Sequence, residues 1–332
     1  MRVLKVFDIF MSFDILVSLS YFVMSPAERC SWDIYNEGSQ QLLGYGLYIT
    51  GVFSLFMSAL VVAALVKSSL TEERSFLGLR TVCAAGLVRS WVFGFLFSGA
   101  SAISGRWLFN PDICPIFGFF KQFASVYQIE AVTHLCIERY VHAKYVKNGW
   151  EMTKYHYVLF NFLCWTFAFV YSLLPFIFGG TYALDFTCAS CALDLVLPTN
   201  YGKYLMATLL FFQSVKPVLF MGYMLYHAIA IEQKCFDKEE HRNQLLFTQT
   251  TVKLTLAAVA CWTPVFLATA WAVVPQLWGA PAPQPPRALA LAAAFGSELN
   301  PGAIALTILC SNEQVRQATR GLFGKPAHLK DD

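Results

Sequence analysis

Residues 114–141 decide the fold of this chain, and they read CPIFGFFKQFASVYQIEAVTHLCIERYV. The stretch starts at Cys114, runs through mostly apolar residues and reaches Glu138 and Arg139 near its end. A helix over the ~24 intervening residues rises ~36 Å, which is one crossing of a membrane. We therefore expect Cys114 at the oxidising outer face and the Glu138-Arg139 pair at the cytoplasmic edge.

The composition of the whole chain agrees with a membrane protein. Of its 332 residues, 57% are hydrophobic and only 14% are charged, and the mean hydropathy is +0.51. A soluble domain carries ~25% charged residues. This excludes a disordered chain, a collagen-like fibre and a soluble enzyme. The net charge of +3 is too small to indicate nucleic-acid binding.

Seven apolar stretches are long enough to cross a bilayer, which needs ~20 residues each. The sequence predicts an all-α membrane fold, a seven-transmembrane-helix bundle over residues 43–310, preceded by an extracellular tail over 1–42. A short amphipathic eighth helix and a cytoplasmic tail follow over 311–332. The predicted spans are Leu43–Val66, Phe76–Ala100, Ile116–Ile137, Tyr157–Phe178, Tyr204–Ile231, Val252–Val274 and Ala288–Cys310.

The first residues allow three interpretations. Val3–Met24 is apolar but is interrupted by Asp8 and Asp14, and each acid would cost ~2.5 kcal/mol or more at a bilayer centre. The segment can be an eighth span, a signal-like segment centred on Ile15–Met24, or a tail that skirts the membrane. Most of the 24 Lys and Arg residues lie on the side of Glu138-Arg139. The positive-inside rule therefore predicts an extracellular amino terminus in the cell membrane.

Cys114 has two candidate partners, because the loop after the fourth span contains Cys188 and Cys191. Thiols outside the cell tend to pair. A bond from Cys114 to Cys191 would hold that loop over the mouth of the bundle. At the other end of the span, Arg139 can pair with Glu138 or with the sixth helix, which makes it a candidate switch.

Together these features resemble a rhodopsin-class (class A) G-protein-coupled receptor. The resemblance covers roughly residues 40–323, and the residues that carry it are Cys114, Glu138-Arg139-Tyr140, Cys261-Trp262-Thr263-Pro264 and Asn300-Pro301. The outer loop is similar to that of opsins, with Tyr182-Ala-Leu-Asp185 followed by Ser190-Cys191-Ala-Leu-Asp194. Asn312-Glu313-Gln314-Val315-Arg316 resembles the start of the membrane-surface eighth helix. The resemblance implies a transducer that contacts a heterotrimeric G protein through Glu138, Arg139 and Tyr140.

The same resemblance implies a ligand pocket. Trp262 precedes Pro264, which removes a backbone hydrogen bond and permits a kink, so Trp262 can form the pocket floor; the alternative is an ordinary core residue. Asp185 can serve as a counterion in the loop over the pocket or can be a solvated loop acid. Phe117 stands where opsins often have a counterion acid.

Retinal binding in opsins needs a lysine in the seventh span, and this chain has none between Lys253 and Lys325. Alignment on Asn300-Pro301 puts Ala294 at the lysine position, whereas alignment on Asn312 puts Glu298 there. We favour Glu298, which resembles a group of opsin relatives with Glu in place of the lysine. A carboxylate cannot form an imine, so we expect no covalent retinal and assign no cofactor.

Other departures from the opsin pattern concern charge. The family's aspartate in the second span corresponds to Leu87, while Arg89, Lys121, Glu130, Lys216 and Glu298 appear within the spans. Bare charges there are costly, so we expect them to be paired or to face a cavity. Lys216 can replace the missing lysine from span five, or it can be a lysine that is ion-paired or extends toward the membrane surface.

Three functions compete at this point. The first is an opsin-like receptor, not an enzyme, that binds a small apolar ligand such as a retinoid noncovalently and signals to a G protein. The second is a non-signalling retinoid-binding protein or photoisomerase of the retinochrome-like type. The third is a transporter, which the charges permit but the absence of an internal repeat disfavours.

Overall fold

We describe the chain from a computed structural model. The structure describes residues 37–68, 70, 74–104, 106–145, 152–185, 190–195, 200–234, 239–280 and 283–324. The predicted alternatives for Val3–Met24, and Cys188 as a partner of Cys114, lie outside these residues.

The described residues are mostly helical. Every predicted span lies within helical structure, except that Phe178, the last residue of the fourth predicted span, lies just beyond a helix. The first helix begins at Glu37, ahead of the predicted start at Leu43. The helices are α1 Glu37–Lys67, α2 Arg74–Val88, α3 Phe95–Ile103, α4 Ile113–Tyr145, α5 Lys154–Ile177, α6 Asn200–Leu210, α7 Lys216–Lys234, α8 Glu239–Leu277, α9 Arg287–Ser311 and α10 Glu313–Phe323.

Length and apolar composition qualify five helical stretches for crossing a membrane. The two other spans depart for visible reasons: the second is divided into α2 and α3, and α4 carries charged residues. The five stretches are Gln41–Lys67, Lys154–Ile177, Tyr204–Lys234, Gln244–Leu277 and Arg287–Ser311.

Two spans contain a wide helical turn. Arg89–Gly94 joins α2 to α3 as a π-helix, and Phe211–Val215 joins α6 to α7 in the same way. A π turn closes i→i+5 hydrogen bonds and holds an extra residue compared with an α turn. The helix surface is therefore rotated across each of these turns, which changes the residues that face the bundle.

Apolar side chains from several spans form the core toward the inner half of the bundle. Fully buried members include Leu65, Leu79, Leu135, Leu254 and Ile304. Large apolar side chains also lie on the outside, as expected for surfaces that face lipid, for example Phe56, Phe162, Leu219, Leu256 and Tyr226.

Small residues allow some helices to approach closely. A Cβ at Gly296 in α9 would lie 2.4 Å from the backbone oxygen of Cys261 in α8. Such contact between backbones is how membrane helices gain packing energy without a hydrophobic driving force. Gly296 therefore fixes the spacing between the sixth and seventh spans.

A two-stranded hairpin covers the outer end of α4. Strand β1 (Tyr182–Leu184) pairs antiparallel with β2 (Cys191–Leu193), with Leu184 opposite Cys191. The predicted disulfide between Cys114 and Cys191 is confirmed, with Cα atoms 5.5 Å apart. The hairpin is thereby attached covalently to the start of the third span.

Tyr182 anchors the same hairpin. Its hydroxyl donates a hydrogen bond of 2.8 Å to the backbone oxygen of Ser172 in α5. Its ring lies against Gly118, where an added Cβ would be 2.7 Å from the Tyr182 Cβ. Burial raises the pKa of the Tyr182 phenol above its usual range.

The predicted eighth helix is present as α10. Asn312 caps it, because its side-chain oxygen accepts a hydrogen bond of 3.0 Å from the backbone N–H of Val315. Val315 is buried against the core, whereas Phe323 is exposed. This is the amphipathic pattern of a helix that lies on a membrane surface.

Candidate functional site

The first part of the site is an ion pair between the third and seventh spans. Lys121 Nζ in α4 lies 3.4 Å from Glu298 Oε1 in α9, and the two side chains are 16% and 6% exposed. The Lys121 ammonium also donates a hydrogen bond of 2.6 Å to Ser190 Oγ, immediately before Cys191. The disulfide-linked loop, the third span and the seventh span therefore meet at one amine.

The second part is a polar cluster around Arg89. Its guanidinium donates to Gln128 Oε1 at 3.2 Å and to Ser297 Oγ at 2.8 Å. Asn300 Nδ2 donates to the same Gln128 oxygen at 3.0 Å. These bonds connect the second, third and seventh spans through buried side chains, since a desolvated guanidinium needs such partners.

Trp262 joins this cluster from the sixth span. The Arg89 guanidinium carbon lies 5.0 Å from the centre of the Trp262 ring, a cation–π contact. Pro264 follows within α8. The predicted pocket residues Trp262 and Pro264 are therefore in the helix that touches the cluster. Arg89 connects Trp262 to Ser297, the neighbour of Glu298.

Phe117 and Asp185 lie further toward the outer face. Phe117 packs against Phe97 and Trp107, with ring centres 5.0 and 5.6 Å apart, beside the disulfide. The backbone N–H of Asp185 donates a hydrogen bond of 2.8 Å to the Ser190 carbonyl oxygen. Lys121, rather than Phe117, is the α4 residue that contacts Glu298.

The two candidate lysine positions in α9 have different surroundings. Ala294 packs on Leu43, Leu47 and Ala102 of the first two spans. Glu298 is buried and faces Lys121. The expectation that charges within the spans are paired is confirmed for Lys121 and Glu298.

Lys216 has different neighbours. It begins α7 directly after the π turn Phe211–Val215 and interacts electrostatically with Glu130 of α4. Lys216 therefore belongs to a contact between the third and fifth spans.

The inner end of α4 forms a second site. Arg139 pairs with Glu138 and also donates a hydrogen bond of 3.1 Å to Gln244 Oε1 in α8. Its guanidinium carbon lies 4.4 Å from the centre of the Phe247 ring. Both predicted partners of Arg139, the neighbouring Glu138 and the sixth helix, are therefore used at once.

Tyr140 takes no part in these Arg139 contacts. Its hydroxyl accepts a hydrogen bond of 3.1 Å from Lys144 Nζ, and its ring lies near His227 of α7. The third residue of the motif thus faces the fifth span, while Arg139 faces the sixth.

Sequence reasoning missed several members of the site. Gln128, Ser297 and the pairing role of Lys121 were not identified, although a glutamine such as Gln128 in an otherwise apolar helix signals an internal partner. Among the described residues there is no group of three or more His, Cys, Asp or Glu side chains that could hold a metal ion.

Comparisons with known proteins identify the family of the chain. The family "7 transmembrane receptor (rhodopsin family)" matches residues 58–296. The visual pigment-like receptor peropsin of Mus musculus is 21% identical over 316 residues, covering 92% of this chain and 91% of peropsin. Opsin-5 of Mus musculus is 24% identical over 259 residues, covering 74% of this chain and 66% of its own length.

A solved structure shows the same fold. Squid rhodopsin superposes with a TM-score of 0.74 at 15% sequence identity, covering 88% of this chain and 87% of that one. The family match extends over more than half of the residues and includes the second to sixth spans. The chain therefore belongs to the rhodopsin family of seven-transmembrane receptors.

Proposed function

We propose that this protein is an opsin-like receptor that binds a small apolar ligand and signals to a heterotrimeric G protein. The observation that carries the proposal is Arg139, which is fully buried and joins Glu138 to Gln244 and Phe247 of the sixth span. A buried guanidinium held by two helices can be paired inside the bundle or released toward water. A ligand that favours one of these two arrangements would make Arg139 a switch.

The ligand site that we propose is the outer half of the bundle, between the hairpin and Trp262. Its polar groups are Lys121, Glu298 and Arg89, and they are engaged with one another or with neighbouring side chains. The seventh span supplies no lysine, so the ligand is held there without a covalent bond to α9. A retinoid has the apolar character that such a site favours.

Changes at the ligand site can reach Arg139 along the third and sixth spans. Both helices touch the upper cluster, through Gln128 and Trp262, and both hold the inner site, through Arg139 and Gln244. Movement of α8 relative to α4 therefore alters both ends together, which is the coupling that a receptor requires.

Nucleotide exchange measures this function directly. The purified receptor in lipid nanodiscs is mixed with each class of G protein, with and without 11-cis- or all-trans-retinal. Gln244→Ala, which removes one Arg139 partner, should raise basal exchange. Gln314→Ala, at an exposed position of α10, should leave it unchanged. Wild-type and Gln244→Ala proteins that never accelerate exchange would contradict the proposal.

A second candidate is a retinoid-binding protein or photoisomerase that does not signal. It is favoured by the lack of the tyrosine that follows Asn-Pro in the receptor pattern. Ile304 or Ile308 occupies that place, depending on the alignment, and both are buried in the core. Retinal isomer ratios before and after illumination, measured by chromatography, separate the two functions. A change in isomer ratio without nucleotide exchange would support the second candidate.

We also propose an extracellular amino terminus in the cell membrane. The disulfide marks one end of the bundle as oxidising, and most basic residues lie toward the other end. An epitope tag at the amino terminus should be accessible to antibody on intact cells, and a tag at the carboxyl terminus should need permeabilisation.

A further inference from the structure

We infer that Lys121 is an attachment site for an apolar aldehyde, which its side-chain amine binds as an imine with Glu298 as the counterion. The inference deepens the proposed ligand site and rests on the proposed function. The amine would come from the third span and the carboxylate from the seventh, in a chain whose seventh span lacks a lysine.

The surroundings of the amine suit this chemistry. Lys121 Nζ has a carboxylate oxygen at 3.4 Å and a hydroxyl oxygen at 2.6 Å, from Glu298 and Ser190. The Lys121 side chain remains 16% exposed, so the packing around it is not closed, whereas Glu298 is nearly sealed at 6%. An amine that is not fully enclosed and has a carboxylate base beside it suits imine formation.

The reaction balances without any further reactant. The Lys121 ammonium gives a proton to the Glu298 carboxylate, and the neutral amine attacks the carbonyl carbon, so that a C–N bond forms. The carbonyl oxygen collects two protons and leaves as water, the C=N double bond forms, and the imine nitrogen ends protonated. One ammonium and one aldehyde thus become one iminium and one water.

Charge conservation explains why Glu298 fits both states. The iminium carries the same positive charge as the ammonium, at the same side-chain nitrogen. The ion pair with Glu298 therefore persists after the bond has formed, and a buried charge is not left without its partner. Ser190 stays within reach as a hydrogen-bond acceptor from the N–H.

Lys216 does not offer the same arrangement. Its electrostatic neighbour in the third span is Glu130. Among the described residues, no ion pair within 4.0 Å joins Lys216 to Glu130, in contrast to Lys121 and Glu298. It is the matched control, a second lysine within a membrane span that has its own carboxylate neighbour.

Reductive trapping tests the inference. The full-length receptor in nanodiscs is incubated with 11-cis-retinal or all-trans-retinal and treated with borohydride, which converts an imine to a stable amine, and labelled peptides are identified by mass spectrometry. The variants are Lys121→Arg, which keeps the charge opposite Glu298 but cannot form the imine, and Lys216→Arg. Retinol, which has no carbonyl group, reports noncovalent binding in every variant.

The expected result is a label on Lys121 in wild type and in Lys216→Arg, and no label in Lys121→Arg, while retinol binding persists in all three. A label on Lys216, or no label in a wild-type protein that binds retinol, overturns the inference. The second outcome leaves the proposed function standing, because nucleotide exchange is measured separately. Loss of retinol binding together with absent exchange overturns both.

A spectrum tests the role of Glu298. A protonated imine of retinal absorbs at longer wavelength than free retinal. In Glu298→Gln the counterion is lost, so the imine should deprotonate and its band should return to shorter wavelength, while borohydride still labels Lys121. An unchanged long-wavelength band in Glu298→Gln would overturn the counterion role.

Discussion

Replacing Gln128 tests whether the polar cluster holds the bundle together. Its Oε1 accepts hydrogen bonds from both Arg89 and Asn300, and all three side chains are buried. In Gln128→Leu both donors lose this acceptor. At about 1.5 kcal/mol for each stranded donor, the free energy of unfolding should fall by roughly 3 kcal/mol.

Gln128→Glu keeps the shape and the acceptor oxygen. It also removes the Nε2 donor, which has no hydrogen-bond partner among the described residues. The new carboxylate is buried, but it lies against the Arg89 guanidinium, so each charge compensates the desolvation of the other. We expect the free energy of unfolding of this variant to lie within about 1 kcal/mol of the wild-type value.

Thiol reactivity during heating measures both variants in detergent. Cys83 and Cys136 are buried and become reactive on unfolding, whereas the exposed Cys310 reacts at the start and is subtracted. Gln317→Leu on the exposed face of α10 is the control and should shift the transition little. Equal destabilisation by Gln128→Leu and Gln128→Glu, or a fully stable Gln128→Leu, would refute the reasoning.

Three further predictions use the same unfolding assay. Gly296→Ala places a Cβ 2.4 Å from a backbone oxygen of α8, so the free energy of unfolding should fall by about 2 kcal/mol or more. Gly222→Ala is the control, because no described atom lies within 4 Å of its Cβ position. Its free energy of unfolding should differ from the wild-type value by less than about 1 kcal/mol. Cys114→Ser removes the disulfide to Cys191, which closes a loop of 77 residues, and the free energy of unfolding should fall by about 4.5 kcal/mol in the chain-entropy model. Because burial raises the pKa of Tyr182, the folded protein holds the phenol proton more tightly than the unfolded chain does. The contribution of this proton to stability is complete below the unfolded pKa of about 10 and falls as the pH rises above it. Tyr182→Phe should therefore reduce the loss of stability at alkaline pH.

The sequence predicted the parts that depend on local pattern. Runs of about 20 apolar residues identify the spans, since the bilayer fixes their length. The distance from Cys114 to Arg139 oriented the third span, and the structure places the disulfide and the Arg139 contacts at its two ends. These features need only the periodicity and length of one helix.

The contacts between spans could not be read in the same way. Whether Lys121 meets Glu298 depends on the rotation of α4 relative to α9, and one residue turns a helix by about 100°. Arg89 adds a further difficulty, because it begins the π turn Arg89–Gly94, and such a turn has no reliable sequence signal. The sequence therefore predicted that charges within the spans are paired, but not which residues form each pair.

The wide turn at Arg89–Gly94 also limits how this chain can vary in length. It holds the extra residue that a regular helix would lack, so loss of a single codon there would leave an unbroken helix but re-phase one half against the other by about 100°. If α3 keeps its packing, Arg89 turns away from Gln128 and Ser297, and a guanidinium within the membrane without these partners is costly. At this turn a change of length is therefore also a change of charge placement, and the two would have to vary together.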